Sequence, residues 1–481
     1  MASRFWVGGT GTWDASDTTH WAATSGGAGG QSVPGSGDTV TFDGSSGGGT
    51  VTLGYNPSVT SITMGTFTGT LNFGSSSPTM QTFSASGTAI RGLTMGSGSW
   101  TITGNNGNIW DFNTITNLTF DRGTAVINCT YSGSVGQRSF FINLPTVRPY
   151  RVNITAGTDT IDFSSGNFED LDFTGFSGTL DTDAFTVAGN LTLSPTMTIP
   201  TSANALTFTA TTTGKTITMN GVAFNRPITF NGVGGGWTLQ DNLNMSGASA
   251  RALTLTNGSF DANNFTVTCG SWSSNNSNVR TLLMGTSTWY ITGTGTVFNN
   301  GGANSTASMA SSTIIFTDTS SSSKALSSGT GNGSGTFGTI TLMPGGSGSF
   351  TFNANARTIN TLNVSGPKTV VFTSGTTTTI TNWNVNGVSG VPVSISATTP
   401  GSAATISIAS GTITSYFLSL RDSTATGGAT FNAKNSTDVS GNTGWNFIFG
   451  RSPVYSRVAA SGRVAKSGRV AASGRVAANA S

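Results

Sequence analysis

Short runs of alternating apolar and polar residues recur along the chain, separated by Gly, Asn, Ser and Thr. In residues 360–385, NTLNVSGPKTVVFTSGTTTTITNWNV, Leu362 and Val364 share one side of a run. Trp383 and Val385 repeat that arrangement near the end of the same stretch. Alternation with a period of two is typical of β-strands that bury one face. The pattern therefore predicts many short strands, each contributing one face to a core.

Equivalent strand positions recur at a spacing that matches one coil of a solenoid. The spacing is 20 to 22 residues in the pairs Leu171 and Leu191, Ile340 and Leu362, and Leu362 and Trp383. A unit of this length with three short strands stacks on its neighbours, so that inward side chains form one long core. We predict an all-β fold, an elongated parallel β-helix or solenoid with about 20 to 25 residues per coil. At roughly 4.8 Å per coil, ~19 coils would span on the order of 90 Å.

The solenoid body is predicted to cover residues 51–447, with two stretches that depart from the pattern. Residues 131–153 contain Pro145 and Pro149, and the spacing is irregular within residues 244–340. Both prolines disfavour regular strand pairing. We therefore expect insertions or a domain break at these two places.

Residues 1–50 are predicted to form an N-terminal cap rich in tryptophan. Trp6, Trp13 and Trp21 fall within sixteen residues of one another. An open solenoid end exposes unpaired strand edges, which natural proteins cover. We interpret the three indoles as a cover over the first coil; ligand binding by the same indoles is the alternative.

Residues 448–481 are predicted to form an extended C-terminal arm built on a six-residue repeat, SGRVAA. Because six is even, an extended chain places every Val on one face and every Arg on the other. Gly in each repeat argues against a helix. We interpret the arm as a partner-binding segment that orders on another surface or intertwines with copies of itself; an unordered linker is the alternative. The residues assigned to partner binding are Arg457, Arg463, Arg469 and Arg475.

The composition favours a packed β protein over a disordered or membrane-spanning one. Charged residues make up only 8% of the chain and 67 of the 481 residues are Gly, but Thr, Val, Ile and 29 Phe are abundant. Disordered chains lack such β-branched and aromatic residues. No apolar run reaches 18 residues and the first residues lack a secretory signal, so we expect neither membrane insertion nor the usual export route. Cys129 and Cys269 are expected to be free, buried thiols.

The charge is unevenly distributed along the chain. The net charge is +3, yet no acidic residue follows Asp438 and six basic residues lie in the tail, which leaves a slightly acidic body. Within the body, four arginines between Arg122 and Arg151 precede seven acidic residues between Asp159 and Asp183. These opposite charges predict a subunit contact or a mutual salt-bridge patch; a solvated loop and strand face is the alternative.

Most catalytic constellations are excluded by residue type. His20 is the only histidine, which removes histidine-based triads and multi-histidine metal sites. Ser46 in GSSGG matches the nucleophile-elbow pattern, but that motif needs a following helix and a later histidine. The glycine-rich stretches lack a following helix or a P-loop lysine. We expect no cofactor and no metal.

Paired carboxylates are the one catalytic candidate. Glycoside hydrolysis needs two carboxyl groups about 5 to 9.5 Å apart. Asp170 and Asp172 share one face of a predicted strand, and Asp181 and Asp183 are predicted to lie one coil away. A cation site or a trimer contact would use the same residues.

Aromatic residues in the later half are the candidate ligand-binding residues. An exposed indole offers an apolar face to a sugar ring, and the residues concerned are Trp237, Trp272, Trp289 and Tyr290. Packing in the core or at corners is the alternative. The basic tail is not expected to bind nucleic acid, because its charges are thinly spread and Tyr455 is its only interleaved aromatic residue.

Two segments resemble a known group of proteins. The opening FWVGGTGTWD, with HWA and VPGSGDTVTFD after it, is similar to segments of Gly/Thr-rich β-helical surface proteins encoded by tailed bacteriophages and some bacteria. So is LSLRDSTATGGATFNAKNSTDVSGNTGWNF at the end of the solenoid, and the Arg-Val-Ala tail resembles the ends of such phage proteins. Together these stretches cover about a quarter of the chain. The resemblance implies a virion component, and such proteins are often homotrimers.

We therefore expect a non-catalytic structural or adhesion protein on the surface of a tailed-phage virion, as a tail fibre, a tail spike or a capsid decoration. It would assemble in the host cytoplasm as a homotrimer and contact other virion proteins, with a host cell-surface glycan as the candidate ligand. One alternative is a depolymerase spike that cleaves host glycans. The other is a bacterial surface adhesin.

Overall fold

The computed structural model describes residues 1–134, 136–142, 148–164, 166–246, 251–328, 335–354 and 357–450. Within these ranges the chain forms 48 β-strands and no helix. The described part therefore offers no helix that could cross a bilayer.

The strands are short and follow one another with few long connections. Those of the first part are β1 (Ser3–Trp6), β2 (Gly11–Trp13), β3 (Trp21–Ala22), β4 (Thr39–Thr41), β5 (Thr50–Leu53), β6 (Ser61–Thr63), β7 (Thr70–Asn72), β8 (Thr79–Met80), β9 (Thr82–Ser84), β10 (Arg91–Thr94), β11 (Ser99–Ile102), β12 (Gly107–Phe112), β13 (Leu118–Asp121), β14 (Val126–Cys129), β15 (Gln137–Ile142) and β16 (Arg151–Ile154). Those of the middle part are β17 (Thr160–Asp162), β18 (Asn167–Phe168), β19 (Asp170–Asp172), β20 (Thr179–Leu180), β21 (Phe185–Val187), β22 (Leu191–Thr192), β23 (Leu206–Phe208), β24 (Lys215–Thr218), β25 (Ile228–Leu239), β26 (Leu243–Asn244), β27 (Ala252–Asp261), β28 (Val267–Cys269), β29 (Ser271–Ser273), β30 (Arg280–Leu283), β31 (Thr288–Ile291) and β32 (Gly295–Asn299). Those of the last part are β33 (Ser305–Ser308), β34 (Thr313–Phe316), β35 (Lys324–Ser328), β36 (Phe337–Leu342), β37 (Ser349–Ala354), β38 (Arg357–Ser365), β39 (Lys368–Phe372), β40 (Thr377–Asn386), β41 (Val393–Ala397), β42 (Ala404–Ser407), β43 (Thr412–Tyr416), β44 (Leu418–Arg421), β45 (Ser423–Thr426), β46 (Thr430–Lys434), β47 (Thr437–Ser440) and β48 (Trp445–Ile448).

The strands stack in parallel to form a β-solenoid of about 17 turns. The predicted solenoid is therefore confirmed, with slightly fewer coils than the spacing suggested. The predicted register is also confirmed, since Leu171 pairs with Leu191, Ile340 with Leu362 and Leu362 with Trp383. Other coils are longer than the predicted 20 to 25 residues, because loops at the corners vary. Phe298, for example, pairs with Leu326, 28 residues later.

Several parallel sheets make up the faces of the solenoid. One face of the first half is the sheet β3-β1-β4-β6-β9-β12-β15-β17-β20, and another is β13-β10-β7-β5-β2. A long sheet runs from β8 and β11 to β47, and the second half adds the sheets β26-β28-β31-β34-β36-β38-β40-β42-β45 and β43-β46-β48. The long strand β25 pairs with both β23 and β24, so two faces join through one continuous strand.

The next long strand, β27, rounds the same corner at a glycine. Gly258 has φ +83°, in the left-handed region, and a Cβ there would lie 2.6 Å from the carbonyl oxygens of both Gly232 and Gly235. Only glycine has the conformational freedom and the small size for this position. The corner is thereby built without an insertion loop.

One continuous hydrophobic core runs from Trp6 to Trp445. Aromatic rings stack along it, as Phe230 does between Phe208, 5.1 Å away, and Phe260, 4.7 Å away. Cys129 and Cys269 are buried in this core and are free, as predicted. Burial raises the pKa of each thiol to about 12, so neither is a reactive thiolate.

The predicted aromatic cap is present at the N-terminal end. Trp6, Trp13 and Trp21 are fully buried, and β3 lies antiparallel on β1, with Trp6 opposite Trp21. The His20 ring stacks on Trp6 with centroids 4.4 Å apart and also contacts the Val7 carbonyl through Nδ1 at 2.8 Å. Because the indoles are inside the cap, they present no surface to a ligand.

Parallel pairing continues through both stretches where insertions were expected. In the first, β15 pairs with β12 and β17, and β16 pairs with β14. In the second, β28 pairs with β26 and β31. The described residues of these stretches therefore belong to the same stack of coils.

Candidate functional site

Three carboxyl groups meet at one corner of the solenoid. Asp162 ends β17, and Asp181 directly follows β20, the strand that stacks on β17 in the next coil. The Asp181 N–H donates to the Ile161 carbonyl at 2.8 Å, which places Asp181 next to Asp162. Asp183 follows two residues later. One oxygen from each of the three side chains lies within 4.8 Å of the others.

Asp162 is the buried, ionised member of this Asp162–Asp181–Asp183 cluster. Its carboxylate accepts hydrogen bonds from Gln137 Nε2 at 2.8 Å and from the hydroxyls of Ser139 and Ser164, each at 2.9 Å. Burial alone would raise the pKa of Asp162, but hydrogen bonds from Asp181 and from these three side chains together hold it below its usual value. Asp162 is therefore an acceptor that stays charged.

Asp181 has the opposite character. Burial, a hydrogen bond with Asp162 and the charges of Asp162 and Asp183 raise the pKa of Asp181 to about 7. Asp181 therefore holds its proton to a much higher pH than an ordinary aspartic acid does. Its buried Oδ1 atom has no hydrogen-bond partner among the described residues. The two side chains thus form a carboxylic acid donating to a carboxylate.

Arg226 lies behind the cluster and is fully buried. Its Nη1 donates to the Asp183 backbone carbonyl at 2.8 Å. Burial lowers the pKa of Arg226, and the charges of Asp181 and Asp183 oppose that lowering. The guanidinium therefore supplies positive potential behind the carboxylates without taking up their oxygens.

This arrangement can do two things chemically. Three carboxylate oxygens so close together are the ligands that a hard cation such as Ca²⁺ prefers. An acid and a base side by side are also the pattern of a proton-transferring pair.

The prediction that Asp181 and Asp183 lie one coil away from Asp170 and Asp172 is wrong. Asp170 and Asp172 lie on β19, in a different sheet, and the residue stacked on Asp172 is Thr192. Asp170 pairs with Arg151 at 3.0 Å and accepts the Asn190 N–H at 2.8 Å. Asp172 accepts from the N–H and hydroxyl of the nearby Thr174. Both are structural acceptors at a strand and its turn.

The aromatic residues considered for sugar binding are mostly in the core. Trp237, Trp272 and Trp289 are at most 1% exposed, so packing, not ligand contact, explains them. Only Tyr290 reaches the surface, with 37% of its area exposed. A groove of about 520 Å³ does lie in this region, between Val233 and Val279, over a floor of glycines with Asn257 and Asn278. None of the four aromatic residues lines it.

Each of the four clustered arginines pairs with an acid of the same chain. Glu169 contacts Arg122 at 3.1 Å and Arg148 at 3.4 Å. Arg138 and Asp159 form a fully buried pair, with Nε 2.7 Å and Nη2 2.8 Å from the two carboxylate oxygens. The structure therefore shows a mutual salt-bridge patch, one of the predicted alternatives, at these residues.

Several buried arginines, Arg91 and Arg280 among them, were not anticipated from the sequence. Arg91 donates to the carbonyls of Ala85, Ala89, Thr114 and Thr116. Arg280 donates to the Ser274 hydroxyl and to the carbonyls of Asn276, Asn278 and Gly301. Each begins a strand at an inward position of the alternating pattern, which is the sequence signal that marks them. They serve to hold irregular corners together.

The arm residues Arg457, Arg463, Arg469 and Arg475 lie outside the described residues. Comparison with known proteins gives no match, whether to a protein-family model, to a curated protein or to a solved structure. The case for a function therefore depends on the fold, on the chemistry of the described residues and on the resemblance of the chain's two segments.

Proposed function

We propose that this chain is a non-catalytic structural and adhesion protein on the surface of a tailed-phage virion, as a tail fibre, a tail spike or a capsid decoration. The observation that carries the proposal is the unbroken core from Trp6 to Trp445. A stack of about 17 coils at roughly 4.8 Å per coil makes a rod on the order of 80 Å long. Such a rod suits a part whose task is reach and stiffness.

The surface of the rod supports the same proposal. Along β40, outward Thr and Asn alternate with inward Ile380, Trp383 and Val385. Neighbouring coils are joined outside by asparagine pairs, such as Asn363 with Asn384 at 2.9 Å and Asn128 with Asn153 at 2.8 Å. Each coil is therefore fixed to the next from within and from without, so the rod resists bending.

We also propose a homotrimer that assembles in the host cytoplasm and contacts other virion proteins, with a host-surface glycan as its ligand and neither nucleic acid nor membrane as a partner. The resemblance of the two terminal segments supports the trimer. The four clustered arginines between Arg122 and Arg151 do not, because each pairs with an acid of the same chain. The trimer contact therefore has to be sought elsewhere.

Electron microscopy of particles tests this function. An antibody against the purified chain should label the surface of phage particles from the source culture, and particles that lack the chain should lose the labelled feature. Labelling of bacterial cells with no labelling of particles would replace the proposal with the bacterial adhesin.

The Asp162–Asp181 pair favours a second function, a depolymerase spike. An acid with a pKa of about 7 beside an ionised carboxylate is the division of roles that glycan hydrolysis requires. The test is release of reducing ends from host surface glycan by the wild-type chain and by Asp162→Asn. Activity that is lost in the variant would establish the enzyme, and no activity in either protein favours the structural role.

A further inference from the structure

The two ends of the solenoid are finished differently. At the N-terminal end, β3 runs antiparallel along β1 and the indole of Trp21 closes the core. At the other end, the last coil presents three strands, β45, β47 and β48, each of which pairs through a strand ladder on one side only among the described residues. Only Thr443 adds a single bridge to β45, at Thr424. Within residues 357–450 the C-terminal end is therefore an open set of strand edges.

Apolar side chains lie exposed at this open end. All four residues of β47 are exposed, and Val439 on that strand has 53% of its area in solvent. Ile448 at the end of β48 is 39% exposed, and the following Phe449 is 69% exposed. An edge with unpaired backbone groups and uncovered apolar side chains is a template for strand addition from another chain.

The chain itself supplies a segment suited to this edge. Residues 451–481 begin directly after Gly450, next to β48, and contain Val458, Val464, Val470 and Val476 at a spacing of six. An extended segment of this length reaches roughly 100 Å at about 3.3 Å per residue. That is far enough to cross from one solenoid to another standing beside it.

The same segment is poorly suited to closing its own solenoid. Body coils fill the core with several large side chains each, as the coil of Val364, Val370, Phe372, Ile380 and Trp383 does. On the face that carries these Val residues, the segment offers no apolar side chain larger than Val, and Lys466 shares that face. A single copy therefore cannot complete a coil, whereas stripes of Val from several copies can bury one another against the open end.

We propose that the open C-terminal end is the oligomerisation surface of this protein, and that segments 451–481 of other copies of the chain add strands to β47 and β48 and cover Val439 and Phe449. The proposal rests on the homotrimer of the proposed function and names the surface that forms it. The arginines of the segment then face solvent, opposite the valines.

The test is the mass in solution of four forms of the protein, measured by light scattering at micromolar concentration. The forms are the wild-type chain, a chain ending at Gly450, Phe449→Lys and Val439→Lys. The wild-type chain should give about three times 48.8 kDa. The truncated chain and both edge variants should each give the mass of a single copy, with an unchanged β-sheet circular dichroism spectrum.

The matched control is Ile90→Lys, which puts the same charge at an exposed apolar residue, 75% exposed, near the other end of the rod. It should keep the wild-type mass. A wild-type monomer would overturn both the trimer and this surface. A trimer that survives truncation would keep the trimer but refute the role of the segment, and a trimer lost on truncation but kept in both edge variants would refute the edge as its docking site.

Discussion

Asp181 lies one coil above Asp162, and the pKa values of these two carboxyl groups are displaced in opposite directions. The pair is held together by a proton on Asp181 and by the hydrogen bonds that Asp162 accepts from Gln137, Ser139 and Ser164. Because both groups are largely buried, the protonation of one depends on the charge of the other. The corner they occupy should therefore respond to pH as a unit.

Stability should be greatest when the pair holds one proton, between about pH 4 and pH 7. The pKa of Asp181 is raised from 3.8 to about 7, so its contribution is complete below about pH 4 and is lost as pH rises through 7. The pKa of Asp162 is lowered, so its contribution is present above pH 3.8 and is lost as pH falls through its folded-state pKa. The melting temperature should therefore fall by roughly 1–3 °C between pH 5.5 and pH 8.5.

The variant Asp181→Asn should flatten that dependence on pH. An amide N–H can still donate to Asp162 but does not titrate. Melting temperatures from circular dichroism at pH 5.5 and pH 8.5 compare the variant with the wild type. Asp172→Asn, at the half-buried end of β19, is the matched control. An unchanged pH slope in Asp181→Asn would show that the pair does not titrate as described.

The buried Arg138–Asp159 pair should be one of the costliest places to remove a charge. Arg138→Met leaves the Asp159 carboxylate buried without its partner, and we expect a loss of about 3–5 kcal/mol in the free energy of unfolding. The control Arg151→Met breaks the pair with Asp170, where the arginine is 44% exposed, and should cost about 0–1 kcal/mol. Denaturant titration measures the free energy of unfolding of both variants. Equal losses in the two would contradict the greater contribution of the buried pair.

Arg280 should hold two loops at once. Its guanidinium donates to Ser274, to the carbonyl of Asn278 and, across to the next coil, to the carbonyl of Gly301. In Arg280→Met, amide hydrogen exchange should speed up by at least about tenfold in residues 274–279 and 301–304, because these loops lose their shared donor. Exchange in distant coils should not change. A uniform increase along the whole chain would point to global destabilisation instead.

The repeating strands of this protein were predicted from the sequence better than the polar residues at its corners. The register of Leu171 with Leu191 follows from pattern alone, because a parallel ladder keeps equivalent apolar residues in line from coil to coil. The role of Asp162 in the carboxylate cluster was not predicted. Its partner Asp181 lies at a corner, and the alternation of apolar and polar residues does not define the length of a corner. Arg91 stands at an apolar position, yet its partners are loop carbonyls that only the folded corners bring together. The residues that pack the core can therefore be predicted from the sequence. The polar sites at the corners cannot, because they depend on loop geometry.

The variant Trp6→Ala should destabilise the N-terminal coils without unfolding the rest of the rod. Trp6 packs on His20, Trp21 and Phe42, and its Nε1 donates to the Gly9 carbonyl at 2.8 Å. Loss of such a buried side chain costs about 3–5 kcal/mol, and in a solenoid that loss falls first on the terminal coils. Hydrogen exchange should therefore increase in β1 to β5 and stay at wild-type rates beyond residue 200. Exchange rates equal to those of the wild type along the whole chain would show that the cap does not protect this end. So would a single cooperative unfolding of the whole rod.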